Sequence, residues 1–100
     1  MKHFIIKINY TAPIEKIDKT LAEHRNFLQI GYDIGFLLCS GPQNPRTGGI
    51  VIARADSKEE LELLFKKDPY QINSLAEYEF IEFNPVKHQD FLKDWINKES

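Results

Sequence analysis

Residues 3–28 read HFIIKINYTAPIEKIDKTLAEHRNFL, and a change of hydrophobic period within this stretch decides the fold. Over residues 3–10 apolar and polar side chains alternate, which is typical of a strand. After Pro13 the apolar stripe recurs every three or four residues instead. It consists of Ile14, Ile17, Leu21, His24 and Leu28. This spacing predicts a helix with one face on a sheet.

The rest of the chain continues the alternation of strands and helices. Further strands are predicted over residues 36–40, 50–55 and about 75–83, a second helix from the Ser57-Lys58-Glu59-Glu60 capping box, and a C-terminal helix after Lys87. The order is β-α-β-β-α-β, which predicts a ferredoxin-like α+β fold with two helices on one sheet face. We expect a single domain over residues 1–100, with a core of about 1–86 and a helical extension over 87–100.

Composition excludes several classes of protein. The chain has 13 basic and 15 acidic residues among 100 and a net charge of -2, which argues against nucleic-acid binding. The strand over residues 50–55 has none of the stacking aromatics of an RNA-recognition sheet. Cys39 is the only cysteine, and neither a signal peptide nor an apolar run of membrane-spanning length is evident. We therefore expect a cytoplasmic protein with no membrane partner.

Apolar residues remain for the sheet face that the two helices leave open. They are Ile5, Leu37, Cys39, Val51 and Ala53. In the last strand the apolar phase changes between Phe80 and Ile81, as a bulge or burial on both faces would require. This pattern predicts a homodimer with stacked sheets. The alternative is that the C-terminal helix covers this face within one chain, and both arrangements are compatible with the pattern.

His24 and Asp68 are the candidates for chemistry. His24 interrupts the apolar stripe of the first helix, so its imidazole is expected to face the sheet, either as a hydrogen-bonded core residue or as a proton-transfer group. Asp68 is expected at the end of the second helix, where the helix dipole disfavours a carboxylate, unless it only begins the Asp68-Pro69-Tyr70 turn. Because both helices lie on one sheet face, Asp68 can approach His24 and orient it.

Other residues are candidates for ligand contacts. Ser40, Gly41 and Pro42 end a strand, where they form either a plain turn or a ligand contact. Tyr70 either packs or lines a pocket, and Arg25 and Arg46 are surface cations or hold an anionic substrate. The histidines lack metal-ligand spacing, and no phosphate-binding glycine motif or nucleophile elbow is present. The sequence therefore predicts neither a metal nor a cofactor.

Taken together, several short motifs resemble the YciI-like (YCII-related) family of small bacterial proteins. The motifs are His24-Arg25-Asn26-Phe27-Leu28, Gly35-Phe36-Leu37-Leu38-Cys39-Ser40-Gly41-Pro42, Gly48-Gly49, Ser57-Lys58-Glu59-Glu60-Leu61, Asp68-Pro69-Tyr70, and Glu82-Phe83 with Pro85. Their order and spacing cover the chain from the first strand to about Pro85. The extension from Lys87 to Ser100 departs from the family pattern.

The resemblance implies a dimeric α+β barrel with an active-site cleft. His24 and Asp68 match the family's histidine and aspartate, and Ser40 with the Gly41-Pro42 turn would line the same pocket. One relative with this domain is a dehydrochlorinase of a hydroxylated aromatic ring, which suggests, by analogy, cofactor-free proton transfer of lyase or isomerase type on a small molecule. Two rival hypotheses remain: a non-catalytic ligand-binding or partner-subunit module, and a buried His/Asp network that only fixes helix packing. The sequence leaves open whether the chain is an enzyme.

Overall fold

The computed structural model describes residues 1–99 as one run of strands and helices. In chain order they are β1 (Lys2–Tyr10), α1 (Ile14–Asp33), β2 (Leu37–Pro42), β3 (Gly48–Ala55), α2 (Lys58–Phe65), α3 (Pro69–Ile72), β4 (Ala76–Phe83), a 3-10 turn (Asp90–Leu92) and α4 (Lys93–Ile96). The predicted β-α-β-β-α-β order with an added C-terminal helix is confirmed. Ser100, the last residue of the predicted extension, lies outside the described residues, and the division into core and extension stays a prediction.

The four strands form one antiparallel sheet in the order β2-β3-β1-β4. β1 is central because it pairs along nearly its whole length with both β3 and β4. Gly35, with a φ of +83°, follows the end of α1 and lets the chain turn into β2. The strand order and the connections are those of the ferredoxin-like α+β fold.

The core lies between the sheet and the helices α1 to α3. From the sheet it takes Phe4, Ile6, Ile8, Val51 and Ala53, and from the helices Ile17, Phe27, Leu61 and Phe65. The apolar face of β1 and the apolar stripe of α1, which the sequence pattern predicted, therefore pack against each other in one apolar layer.

The opposite side of the sheet, the far face, carries apolar side chains that are only partly covered. They are Ile5, Ile50, Ile52, Ile81 and Phe83. Leu37, Val51 and Ala53, which the alternation left available for this face, are instead buried in the core. β4 pairs with β1 without a register shift and is apolar on both faces, whereas the shift lies in β2, between Leu37 and Cys39. Of the two explanations offered for the β4 pattern, the bulge is therefore wrong.

The residues that follow β4 pack against one end of the far face. The Arg54 guanidinium donates from Nη1 to the Trp95 carbonyl oxygen at 2.8 Å, and its central carbon lies 4.7 Å from the centre of the Trp95 ring. The His3 ring centroid is 5.6 Å from that of Trp95. Phe91, in the same C-terminal segment, is 84% exposed. The C-terminal segment thus covers the His3 end of the far face and leaves the remainder open.

Candidate functional site

A histidine and an aspartate separated by 44 positions meet on the helix side of the sheet. His24 lies on α1 and Asp68 precedes α3, and the His24 Nδ1 atom is 2.8 Å from Asp68 Oδ1. Asp68 is fully buried and His24 is 8% exposed. Because the pair is shielded from water, its electrostatic coupling is stronger than that of a surface pair.

The position of Asp68 differs from the one expected from sequence. α2 ends at Phe65, and Asp68 is the N-cap of α3, where its Oδ1 accepts a hydrogen bond from the Tyr70 backbone N–H at 3.1 Å. An N-cap is a favourable place for a carboxylate, so the reasoning from an unfavourable helix dipole was wrong. The turn interpretation of Asp68-Pro69-Tyr70 is the one that the structure bears out.

The second carboxylate oxygen of Asp68 is held by Tyr78 of β4. The Tyr78 hydroxyl donates to Asp68 Oδ2 at 2.7 Å. Burial raises the pKa of Tyr78, and the adjacent Asp68 charge raises it further, so this phenol keeps its proton and remains a donor. With three donors around it, the carboxylate has little freedom to rotate.

This arrangement also determines which imidazole nitrogen of His24 carries the proton. An ionised carboxylate only accepts hydrogen bonds, so Nδ1–H donates to Asp68 and Nε2 carries the lone pair. The imidazole is stacked on the Tyr70 ring, with centroids 4.0 Å apart and planes 9° from parallel. One hydrogen bond and one stacking contact thus fix the ring, and Nε2 is the nitrogen left for a ligand.

A cavity of about 310 Å³ opens beside His24. Among its lining residues are the predicted ligand contacts His24, Arg25, Ser40, Gly41, Pro42 and Tyr70. The structure therefore brings together every candidate side chain except Asp68, which reaches the cavity only through His24. Within residues 1–99, no group of three or more His, Cys, Asp or Glu side chains is arranged to hold a metal ion.

The register shift in β2 explains why Ser40 belongs to this cavity. Leu37 lies opposite Ala53 on the core side, and without the shift Ser40 would point to the far face. With the shift, Ser40 lies opposite Val51 on the helix side, and its Oγ is 2.7 Å from the Tyr32 hydroxyl. The irregularity thus turns the end of β2 so that its polar side chain faces the cavity.

Three tyrosines of the site were not identified from the sequence. Tyr78 holds Asp68, Tyr32 holds Ser40, and Tyr10 lines the cavity. The sequence signal for Tyr78 was its position in β4. It lies on the same face of the strand as Ala76 and Phe80, which face the core, so its hydroxyl enters an apolar layer. A buried hydroxyl needs a hydrogen-bond partner, which was a reason to look for one.

A family model for the YCII-related domain matches residues 1–84 of this chain. Because the match spans the whole ferredoxin-like part, the chain belongs to the YCII-related family. The residues after position 84, including Trp95, lie outside the matched range.

Among solved structures, the chain is similar to 5-chloro-2-hydroxyhydroquinone dehydrochlorinase from Burkholderia phenoliruptrix, in complex with 2,5-dihydroxybenzoquinone. The TM-score is 0.67 at 19% sequence identity, and the likeness covers 91% of this chain and 98% of that chain. It shows that the fold is the ferredoxin-like α+β fold. No curated protein matches this chain. No helix within residues 1–99 combines the length and apolar composition needed to cross a membrane.

Proposed function

We propose that this protein is a small enzyme of lyase or isomerase type that transfers a proton, without a cofactor, on an organic substrate bound beside His24. The observation that carries the proposal is the 2.8 Å hydrogen bond from His24 Nδ1 to the fully buried Asp68, at the wall of a cavity of about 310 Å³. A buried carboxylate that orients an imidazole is the usual partner of a histidine general base.

The proposed step begins with the lone pair on His24 Nε2. Nε2 takes a proton from an acidic C–H or ring O–H of the substrate, and the electron pair left behind moves into the conjugated system of the substrate. In a lyase reaction that electron pair expels a leaving anion, and the proton passes from the imidazolium to water. In an isomerase reaction the imidazolium returns the proton to another carbon. In both cases the Asp68 charge stabilises the imidazolium.

The size and lining of the cavity favour a small ring compound. About 310 Å³ is at the lower end of the roughly 300–1,000 Å³ typical of ligand pockets. Ile8, Leu28 and Val51 give the cavity an apolar wall, and Ser40 gives it a hydroxyl. A positioned base contributes only about 10²–10⁴-fold, so the substrate needs an already acidic proton. A hydroxylated ring, like that in the name of the dehydrochlorinase, meets this condition by analogy.

The protein is further proposed to act as a cytoplasmic homodimer. The far face keeps Ile81 and Phe83 at 43% and 38% exposure, which is unusual for two large apolar side chains on neighbouring positions of one sheet face. A second copy packed on this face would bury them, with the two sheets stacked as in other dimeric α+β barrels.

The test is turnover by matched variants. Chloride release from 5-chloro-2-hydroxyhydroquinone and deuterium exchange at acidic C–H groups of small lactones are measured in a Cys39→Ser background, because the exposed Cys39 thiol adds to quinones. His24→Gln is expected to lower the rate by about 10²- to 10⁴-fold, and Asp68→Asn to lower it in the same range. His88→Gln is the control, since the His88 ring bonds the Pro85 carbonyl outside the cavity.

Full turnover by His24→Gln on any compound that the wild type converts would show that the assignment is wrong. Saturable binding of these compounds, with no turnover by the wild type, would replace the enzyme with a ligand-binding module built on the same cavity.

A further inference from the structure

In the part of the chain that the structure describes, the titratable side chains around the cavity are hydrogen-bond donors or cations, and none is a carboxylate. They are Tyr10, His24, Arg25, Arg46 and Tyr70. No Asp or Glu of residues 1–99 is among the lining residues, although the chain as a whole carries a net charge of -2. Two carboxylates outside the lining contact this set, Asp68 through His24 and Asp18 through Arg46. The cavity is therefore a local concentration of hydrogen-bond donors and positive charge.

The Tyr70 hydroxyl is the group that points most directly to a ligand. Tyr70 is 1% exposed, and its buried hydroxyl has no hydrogen-bond partner within residues 1–99. Burial raises the pKa of Tyr70 to about 12, so at neutral pH the hydroxyl carries its proton and offers a donor. A buried donor without an acceptor is costly, and a ligand oxygen would remove that cost.

Arg46 supplies a cation to the same cavity, because its side chain and that of Tyr70 both line it. The Arg46 charge lowers the pKa of the Tyr70 hydroxyl, while burial and the charges of Asp68 and Asp18 raise it. Arg46 Nη2 lies 2.6 Å from Asp18 Oδ1, and this ion pair is partly open to solvent. A guanidinium has five N–H donors, so the contacts of Arg46 with Asp18 and with the Tyr10 side chain leave others for a ligand. An exposed ion pair is also weak enough for a bound anion to compete with it.

We infer that the cavity selects small ring compounds carrying an anionic oxygen, which binds between the Arg46 guanidinium and the Tyr70 hydroxyl while the ring rests on the apolar wall. Phenol and guanidinium donors both pair better with a charged oxygen than with a neutral one. The claim that the bound anion reacts at His24 rests on the proposed function. The claim that an anion binds rests on the cavity lining alone.

The experiment compares two ligands that differ in charge but hardly in shape. Binding of 2,5-dihydroxybenzoate and of 2,5-dihydroxybenzamide to the full-length protein is measured by titration calorimetry at low and moderate salt. The benzoate is expected to bind at least about tenfold more tightly, which corresponds to about 1.4 kcal/mol. Added salt should weaken its binding more than that of the amide.

Three variants separate the inference from a purely structural role of the ion pair. Arg46→Gln is expected to remove most of the preference for the benzoate, and Tyr70→Phe to reduce it several-fold. Asp18→Asn removes the ion pair while keeping the cation, so it should leave the preference unchanged or increase it. Circular dichroism of each variant checks that the fold is retained.

Equal affinity for the acid and the amide in the wild type would overturn the inference, as would a loss in Asp18→Asn as large as that in Arg46→Gln. The calorimetric experiment measures affinity and does not require the protein to convert the ligand. A preference for the anion with no reaction on any ring compound would therefore refute the proposed enzyme and leave the inference standing. Turnover without a preference for the anion would refute the inference and leave the proposed enzyme standing.

Discussion

At the level of single residues, Asp68 serves as a helix cap and as the partner of His24 at once. Its carboxylate accepts from the imidazole, from the Tyr70 backbone and from the Tyr78 hydroxyl. The catalytic and the structural interpretations of the pair are therefore not exclusive. A loss of stability on changing Asp68 reports on the cap and on Tyr78 as well as on His24.

Two substitutions at Asp68 should lower the free energy of unfolding by clearly different amounts. Asp68→Ala leaves three donors, two of them buried and one partly buried, without an acceptor and should lower the free energy of unfolding by about 2–4 kcal/mol. Asp68→Asn keeps one carbonyl oxygen for His24 and the Tyr70 N–H, while its amide faces a Tyr78 hydroxyl that can turn to accept, so the cost should stay near 1 kcal/mol. Urea unfolding measures both values. Equal losses would mean that the hydrogen bonds to Asp68 contribute little.

The Tyr70 hydroxyl, which has no hydrogen-bond partner among residues 1–99, gives a prediction about pH. The pKa of Tyr70 is raised from 10 to about 12 by burial, so the folded state holds this proton more tightly than the unfolded chain. The free energy of unfolding should then fall as the pH rises from about 10 towards 12. Tyr70→Phe should cost little or nothing at neutral pH, because no hydrogen bond is lost, and should flatten this alkaline decline. Urea unfolding between pH 8 and 11 tests both expectations, and a variant as steep as the wild type would refute them.

The sequence singled out His24 because it interrupts an apolar stripe. It singled out Asp68 because a carboxylate was expected at the unfavourable end of α2, and the structure places Asp68 at the N-cap of α3 instead. Tyr78 escaped notice because an aromatic residue in a core-facing strand position is ordinary, and only the fold brings its hydroxyl to Asp68. The local hydrophobic periodicity of a sequence does not predict hydrogen bonds of this kind, which join residues on different elements.

At the level of the secondary-structure elements, the pairing of β1 with β3 depends on a glycine. A side chain at Gly48 would overlap the Ile8 backbone carbonyl oxygen, and a paired backbone in the middle of the sheet has no room to move. Gly48→Ala should therefore lower the free energy of unfolding by about 2 kcal/mol or more. Gly41→Ala is the matched control on β2, because no atom lies within 4 Å of its added carbon, and it should change stability by less than about 0.5 kcal/mol. Similar losses from the two changes, measured by thermal unfolding, would contradict this packing.

Periodicity predicted β1 and α1 well because each buries a single face. It was less informative for β2, where Leu37 and Cys39 share a parity in sequence but lie on opposite faces of the sheet. The register shift that separates them also turns Ser40 towards the cavity. A bulge is a feature of the pairing between two strands, so the sequence of β2 alone does not show where it lies.

At the scale of the whole molecule, the proposed homodimer depends on the far face. Ile81 is 43% exposed there, and an Asp at this position would place a charge inside the proposed dimer interface. Sedimentation at micromolar concentration should give a dimer for the wild type and a monomer for Ile81→Asp. Leu63→Asp, at a 63% exposed position on α2, is the control and should stay dimeric. A monomeric wild type would contradict the proposed homodimer.

The global fold followed from the sequence because strand and helix periods alternate in an order that few topologies satisfy. The cavity did not follow from the sequence, because its wall comes from six separate segments: β1, α1, β2, the loop that carries Arg46, β3 and α3. The sequence supplied candidates from α1, β2, the Arg46 loop and α3 but none from β1 or β3, and only the packing of these segments shows that they surround one space.

The most direct test of the proposed role of His24 is an NMR measurement of its ring nitrogens at pH 8. Long-range proton–nitrogen spectra of ¹⁵N-histidine-labelled protein are recorded with and without 2,5-dihydroxybenzoate, in the wild type and in Asp68→Asn. The account predicts an Nδ1–H tautomer in the free wild type, an Nε2 signal that shifts on adding the ligand, and a redistribution of the proton between the two nitrogens in Asp68→Asn. An Nε2–H tautomer in the wild type, or an Nε2 signal that does not respond to a bound ligand, would contradict the assignment of His24 as the base.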